Sequence, residues 1–145
     1  MRVVVQRVSE ATVRIDGETA GRIGTGLLAL VGFGPGDGEE ELGWMAEKLA
    51  GLRVFPDEDG RMDRGLEEVG GSLLVVSQFT LYGDVSRGRR PSFTAAADPD
   101  RAEELYDRFL ELCRATSVPV QSGEFGAMMD VELVNDGPVT LVVER

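Results

Sequence analysis

Short apolar runs that end at turn-forming residues constrain the fold of this chain more than any other feature of its sequence. The clearest pair, residues 131–134 and 139–143, flanks the segment Asn135-Asp136-Gly137-Pro138-Val139-Thr140. Asn and Asp bond to their own backbone, Gly accepts positive φ and Pro fixes φ, so this segment is typical of a turn. It predicts either a tight connection between two strands or a bend at Gly137–Pro138, which is a candidate cis peptide. Such a bend can aim neighbouring carbonyls in one direction, and Gly137 has no Cβ to block a ligand that approaches its backbone.

The other patterns predict a sheet and two helices. Asp16-Gly17 predicts a hairpin turn, and helical periodicity with start signals at Asp37 and Asp98-Pro99 covers residues 39–50 and 99–114. The runs of strand length are residues 1–9, 11–15, 18–23, 26–33, 52–55, 72–76 and 118–120. We therefore predict an α/β fold with a curved, barrel-like, mostly antiparallel or mixed β-sheet and two main helices packed on one side, in a single domain of residues 1–145.

Composition excludes several kinds of chemistry. The chain has no histidine, which excludes Ser-His and Cys-His nucleophile pairs and His-ligated metal sites. The single cysteine, Cys113, shares a helical phase with Tyr106 and Phe109, so we expect it to be buried and inert. One cysteine fits a reducing compartment, and no apolar run is long enough to span a membrane. We expect a cytoplasmic protein that needs neither a metal nor another cofactor.

The distribution of charge leaves one candidate for a phosphate contact. A net charge of −11 argues against broad binding to nucleic acid, which depends on neutralising phosphates. Arg87, Arg89 and Arg90 nevertheless form a dense basic cluster within residues 87–93. This cluster is either a solvated loop or a phosphate contact, because guanidinium groups match phosphate oxygens.

A polar segment follows the apolar run at residues 72–76. Ser77-Gln78-Phe79-Thr80 places hydroxyl and amide groups where a strand ends, and strand ends are where rigid scaffolds present groups to a site. The alternative is that Ser77 and Thr80 merely finish the strand.

Together, Ser77-Gln78-Phe79-Thr80 and Asn135-Asp136-Gly137-Pro138-Val139-Thr140 resemble the paired signatures of D-aminoacyl-tRNA deacylases, and the resemblance extends over essentially the full chain. It implies a homodimer with two active sites at the subunit interface. The Gly137–Pro138 loop, in its cis form, would enter the partner's site and direct its carbonyls at the amino group of the D-aminoacyl ester. An L side chain would need the space of those carbonyls, so L-aminoacyl-tRNA would be rejected by exclusion.

The reaction that the resemblance implies is ester hydrolysis at the 3′ end of tRNA, a proofreading step of translation, with glycyl-tRNA as a further substrate. Thr80 matches a threonine once cast as a nucleophile, but without histidine we see no base for it. We expect the 2′-hydroxyl of the terminal adenosine to assist, and backbone N–H groups near Phe79 and Thr80 to stabilise the oxyanion. Gln78 would shape the adenosine pocket, and Arg7 would brace the Gly-Pro loop.

The resemblance thus assigns three groups of residues. The catalytic group is Ser77, Gln78, Phe79 and Thr80; the substrate-binding group is Gly137, Pro138, Asn135, Phe125, Met129 and Arg7; and the group facing tRNA phosphates is Arg87, Arg89 and Arg90. Two alternatives stay open: a non-catalytic RNA-binding or assembly protein with the same fold, and a hydrolase of small esters that needs no RNA.

Overall fold

Six of the eight strands form one mixed sheet that curls into a nearly closed barrel. The computed structural model describes residues 1–145. Its strands are β1 (Arg2–Ile15), β2 (Glu18–Ile23), β3 (Gly26–Gly32), β4 (Phe55–Pro56), β5 (Met62–Arg64), β6 (Ser72–Ser77), β7 (Val120–Ser122) and β8 (Asp130–Glu144), and its helices are α1 (Glu39–Gly51), α2 (Pro99–Arg114) and a 3₁₀ helix (Phe79–Tyr82).

The long strand β1 organises the sheet. It pairs antiparallel with β2, β3 and β8, whereas β6 lies parallel to β3 and β7 lies parallel to β6. The barrel nearly closes where β2 approaches β7, because a Cβ at Gly21 would lie only 2.7 Å from the carbonyl oxygen of Ser122. The structure confirms the predicted barrel-like mixed sheet with two helices.

Alternate residues of the strands contribute to two separate cores. Leu27 and Leu73 belong to a cluster of 24 buried residues that includes the apolar faces of α1 and α2. Their neighbours Leu28 and Leu74 belong to a cluster of seven residues drawn only from the strands. This division follows from the two-residue period of a strand, which sends successive side chains to opposite faces.

Cys113 lies in the larger core, as its helical phase predicted. Its side chain is buried, and burial raises the pKa of its thiol to about 12. The thiol is therefore protonated at physiological pH and has little nucleophilic character. Neither α1 nor α2 combines the length and the hydropathy that a membrane-spanning helix requires.

Several predicted boundaries are wrong, although the elements themselves exist. The runs at residues 1–9 and 11–15 are one strand, β1, which ends at the predicted hairpin turn, where Asp16 and Gly17 have φ of 50° and 80°. The short strands predicted at residues 52–55 and 118–120 lie at Phe55–Pro56 and Val120–Ser122 instead.

Both predicted helix starts lack the expected side-chain cap. Gly38 takes the N-cap position of α1, and the Asp37 carboxylate instead accepts hydrogen bonds from the N–H of Gly34 and the ammonium of Met1, each at 2.7 Å. Asp98 does precede Pro99 at the start of α2, but its side chain makes no capping hydrogen bond. Asp37 therefore ties the end of β3 to the start of β1.

Candidate active site

The Asn135–Thr140 segment does not reverse the chain, so the predicted tight connection between two strands is wrong. β8 stays antiparallel to β1 on both sides of the segment, with Asn135 opposite Val8 and Thr140 opposite Gln6. Both apolar runs find their partners along the same strand, and the residues between them are accommodated as a bulge opposite Arg7. The Gly137–Pro138 peptide bond within this bulge, residues 136–139, is cis.

Two side chains hold the bulge in place. The Asn135 amide accepts a hydrogen bond from the N–H of Val139 at 2.7 Å and donates one to Thr140 Oγ1 at 2.9 Å. Arg7 is buried, and it donates from Nε to the carbonyl oxygen of Asp136 at 2.9 Å and from Nη1 to that of Val54 at 2.7 Å. Arg7 thus holds the bulge from beneath.

Position 137 has little room for any side chain. Gly137 has φ of +138°, and a Cβ there would lie 3.0 Å from the backbone nitrogen of Val139 and 3.1 Å from Arg7 Nη2. Gly137 and Pro138 are themselves exposed. The tip of the bulge is therefore immobilised from the inside and open to solvent on the outside.

The second signature segment forms a tight turn at the end of β6. The N–H of Gln78 donates to the carbonyl oxygen of Val31 at 2.7 Å, and the chain then enters the 3₁₀ helix Phe79–Tyr82. The hydrogen bonds of this helix begin at Leu81, whose N–H donates to the carbonyl oxygen of Gln78 at 3.2 Å. The N–H groups of Phe79 and Thr80 precede this first intrahelical donor and are left free, as expected at the start of a helix. The turn thus presents two free donors beside the Phe79 ring, which is 53% exposed.

The Thr80 hydroxyl has no basic partner. Gln78 Nε2 donates a hydrogen bond to Thr80 Oγ1, and no carboxylate or amine bonds to that oxygen. Ser77, the last residue of β6, is half-buried. Neither hydroxyl has a neighbour able to take its proton.

Arg2 fastens the Phe79–Tyr82 turn to the sheet. Its Nη1 donates to the carbonyl oxygen of Leu81 at 2.6 Å, its Nε pairs with Glu144 at 2.6 Å, and its guanidinium lies 4.9 Å from the centre of the Tyr82 ring. Gly32, the last residue of β3, lets the turn lie close to that strand, since a Cβ at Gly32 would lie 3.0 Å from the carbonyl oxygen of Gln78. Sequence reasoning assigned no role to Arg2, because its partners are distant in the chain.

Phe125 and Met129 are half-buried. The Phe125 ring packs on Tyr106, with ring centres 5.9 Å apart, and Met129 packs against the strand-only core. The Met129 sulfur also occupies the space beside Gly123, where a Cβ would lie 2.7 Å from it. Both side chains are therefore anchored.

The basic loop, residues 84–92, leads directly out of the Phe79–Tyr82 turn. Asp84 and Ser92 close it by exchanging backbone hydrogen bonds of 2.7 and 2.9 Å. Arg87, Arg89 and Arg90 are exposed within it, and none of the three pairs with a carboxylate. The loop therefore presents three uncompensated positive charges.

The two signature segments do not lie together within one chain. The Phe79–Tyr82 turn is fastened at Arg2, whereas the bulge is fastened at Arg7. The two anchors are five positions apart along β1, which is about 17 Å of strand. Neither of two depressions on the surface of the chain, one beside Arg14 and Arg22 and one among acidic side chains near Asp59, includes a residue from the two segments.

Comparisons with known proteins cover the whole chain. A family model described as D-Tyr-tRNA(Tyr) deacylase matches residues 4–144. A relative from Exiguobacterium sibiricum named D-aminoacyl-tRNA deacylase is 58% identical over 145 residues, covering 100% of both chains. A relative of the same name from Thermotoga petrophila is 55% identical over 144 residues, covering 99% of this chain and 97% of its own.

Two solved structures are similar to this one. One, described as a c-Myc DNA unwinding element binding protein, is 41% identical and has a TM-score of 0.94, covering 100% of this chain and 99% of its own. The other, described as a probable eukaryotic D-amino acid tRNA deacylase, is 22% identical with a TM-score of 0.81, covering 98% of this chain and 97% of its own. The second likeness concerns the fold.

Proposed function

The chain belongs to the D-aminoacyl-tRNA deacylase family and is a hydrolase of an ester bond, and on this premise we propose that it proofreads translation in the cytoplasm by releasing tRNA and the free amino acid from D-aminoacyl-tRNA. The observation that carries the proposal is the pair of free N–H groups at Phe79 and Thr80, on a rigid turn, in a chain without histidine. Two such donors suit the oxyanion that forms when an ester is attacked, and each typically contributes about 10²–10³ in rate.

The proposed mechanism takes part of its chemistry from the RNA. The turn positions the ester and its two N–H groups stabilise the developing oxyanion, while the 2′-hydroxyl of the terminal adenosine assists the attack. Gln78 holds Thr80 and borders the adenosine. The absence of a basic partner at Thr80 Oγ1 supports this assignment over a threonine nucleophile.

Replacing Thr80 by alanine is expected to change kcat for D-tyrosyl-tRNA by less than about tenfold, because the substitution keeps the backbone N–H and removes only the hydroxyl. Single-turnover deacylation of the purified variant measures this. Thr19→Ala serves as the matched control, since it removes an exposed threonine hydroxyl on β2, outside the candidate site. Loss of all activity in Thr80→Ala, with circular dichroism and unfolding midpoint unchanged, would contradict the mechanism.

We infer that the active site is completed by a second copy of the chain. Within one protomer the turn and the bulge lie about 17 Å apart along β1. Val134, Leu141 and Val142 of β8 are 50%, 38% and 65% exposed, and the edge of β8 away from β1 has no partner strand. Exposed apolar side chains on an open strand edge favour association with another copy. In this homodimer the Gly137–Pro138 bulge of one protomer enters the site of the other.

The bulge then acts as the filter for chirality. Its backbone is held by Arg7 and Asn135, and its exposed tip carries no side chain at Gly137. Such a tip bars an L side chain by occupying its space, accepts a D side chain that points elsewhere, and accepts glycine, which has none. Phe125 and Met129 line the same pocket from anchored positions.

The proposal is tested by incubating the purified protein with D-tyrosyl-, L-tyrosyl- and glycyl-tRNA and measuring its mass by sedimentation. We expect hydrolysis of the first and third substrates, an intact L-ester, and a dimer. An ester of D-tyrosine without adenosine distinguishes a hydrolase that needs no RNA. Equal hydrolysis of the D and L esters would refute the chiral filter, and failure to cleave any aminoacyl-tRNA would leave a binding protein.

Arg87, Arg89 and Arg90 are proposed to contact phosphates of the acceptor stem. Replacing all three by glutamine is expected to weaken tRNA binding and to reduce the slope of log K against log salt concentration by roughly 2–3, since each phosphate contact contributes about 0.9. Filter binding at several salt concentrations measures the slope. The matched control is the variant with Arg53 and Arg64 replaced by glutamine, because both of these exposed arginines already pair with carboxylates. An unchanged slope would reject the contact.

A further inference from the structure

Phe93 lies between the basic loop and the Phe79–Tyr82 turn. It follows directly after the Asp84–Ser92 bridge, and its ring meets that of Phe79 edge to face, with centres 5.1 Å apart and an interplanar angle of 67°. The same ring lies 3.0 Å from where a Cβ at Gly83 would be, so Gly83 lets it sit against the end of the turn. Phe93 thus touches both ends of the turn that carries the free N–H groups.

The backbone on either side of Phe93 is fixed as well. Ser92, before it, is bonded to Asp84, and the carbonyl oxygen of Phe93 accepts the N–H of Ala96 at 3.1 Å. The N–H of Ala97 then donates to the carbonyl oxygen of Phe33 at 2.9 Å, beside the end of β3. A displacement of the loop at Ser92 must therefore be taken up by Phe93, because the chain beyond it is tied to the sheet.

Of the loop, Phe93 and the turn, the loop is the part whose charges suit a ligand. Its three arginines are exposed and unpaired in a chain of net charge −11, so a run of phosphates is the partner that suits them. Phe79, by contrast, keeps 53% of its surface exposed, and Phe93 is its one aromatic ring partner. The Phe79 ring therefore depends on Phe93 for its orientation.

We propose that Phe93 is a positioning residue that couples phosphate binding at the basic loop to the placement of Phe79 and the neighbouring N–H donors. The inference rests on the proposed function. It implies that the phosphates of a polynucleotide substrate do more than strengthen binding, because the phosphates order the loop and the loop orders the turn. The enzyme then hydrolyses an ester on tRNA with a higher kcat than the same ester on adenosine alone.

The test compares D-tyrosyl-tRNA with 3′-O-D-tyrosyl-adenosine, which lacks every phosphate. In the wild-type protein kcat is higher for the tRNA ester. Phe93→Ala is expected to lower kcat for the tRNA ester by about two- to twelvefold, the range of an aromatic pair, and to lower it by a smaller factor for the adenosine ester. Phe93→Tyr keeps the aromatic ring and is expected to restore the difference in kcat between the two esters. Val85→Ala, at an exposed residue of the same loop, is expected to leave both rates unchanged.

A double-mutant cycle separates coupling from simple packing. Replacing Arg87, Arg89 and Arg90 by glutamine removes the proposed phosphate contacts, and in that background Phe93→Ala is expected to have no further effect on kcat for the tRNA ester. Equal losses on both esters, or losses that simply add, would show that Phe93 only packs and would overturn the coupling. If Phe93→Ala does not fold, Phe93→Leu takes its place, since leucine keeps most of the side-chain volume and removes the aromatic ring.

Failure of this inference is distinguishable from failure of the proposed function. The wild-type reaction with D-tyrosyl-tRNA tests the function, whereas only the ratio between the two esters tests the coupling. A wild-type protein that cleaves both esters at the same rate keeps its activity and refutes the role of Phe93.

Discussion

Replacing Gly137 by alanine is expected to lower kcat/KM for D-aminoacyl-tRNA about a hundredfold, the loss that follows from moving a positioned group by about 1 Å. The new Cβ would lie 2.9 Å from Val139 Cγ2, 3.0 Å from Val139 N and 3.1 Å from Arg7 Nη2. The backbone φ of +138° is also one that L-residues rarely adopt. The tip of the bulge must therefore shift, while the strands on either side keep their pairing with β1.

The matched control for this variant is Gly60→Ala. Gly60 also has a positive φ, of +80°, but it lies in an exposed turn where a Cβ would meet no atom within 4 Å. This control accounts for the general cost of alanine at a positive φ without touching the bulge. Unchanged hydrolysis of the D-ester and continued rejection of the L-ester by Gly137→Ala would exclude the bulge from the active site.

Mixing variants tests whether the bulge acts on the partner's site. A Gly137→Ala protomer keeps an intact turn, and a Phe79→Ala protomer keeps an intact bulge. Random exchange of subunits places one intact turn opposite one intact bulge in half of the dimers, so about a quarter of the wild-type activity should return. If the turn and the bulge of the same protomer worked together, the mixture would stay as inactive as its components.

Replacing Arg7 by methionine is expected to lower the free energy of unfolding by about 3 kcal/mol and to abolish selective hydrolysis. The carbonyl oxygens of Asp136 and Val54 would both lose their donor, and an unsatisfied buried group costs about 1–3 kcal/mol. Asp136 begins the bulge, so the same loss frees the tip from the strand. Urea denaturation measures the first effect, and deacylation of D- and L-tyrosyl-tRNA measures the second.

Arg14→Met on the same strand is the control for Arg7→Met. Arg14 pairs with Glu132 at the surface, where its side chain is 37% exposed, and such pairs contribute no more than about 1 kcal/mol. Arg7→Lys adds an intermediate case, because it keeps the charge but reaches at most one of the two carbonyl oxygens at a time. A loss in Arg7→Met no larger than that in Arg14→Met would show that the bulge does not depend on Arg7.

Patterns confined to a few neighbouring residues were predictable from the sequence. The positive φ values at Asp16 and Gly17, the bounds of α2 and the burial of Cys113 all depend on local conformational preference or on the period of one element. The lack of histidine likewise excludes Ser-His and Cys-His nucleophile pairs from the sequence alone. The two signature segments identified the candidate site through their resemblance to a known family, although only Ser77-Gln78-Phe79-Thr80 lies at the end of a strand.

The arrangement of that site was decided by tertiary structure. The turn chemistry of Asn135-Asp136-Gly137-Pro138 suits a chain reversal, and only the pairing of β8 with β1, more than 120 residues away, turned it into a bulge. The anchoring of Arg2 at Leu81, the separation of the turn from the bulge, and the contact between Phe79 and Phe93 have the same origin. Local preference acts through neighbouring backbone and side-chain atoms, whereas these features depend on which distant segments pack together, and that is determined by the burial of the whole sheet.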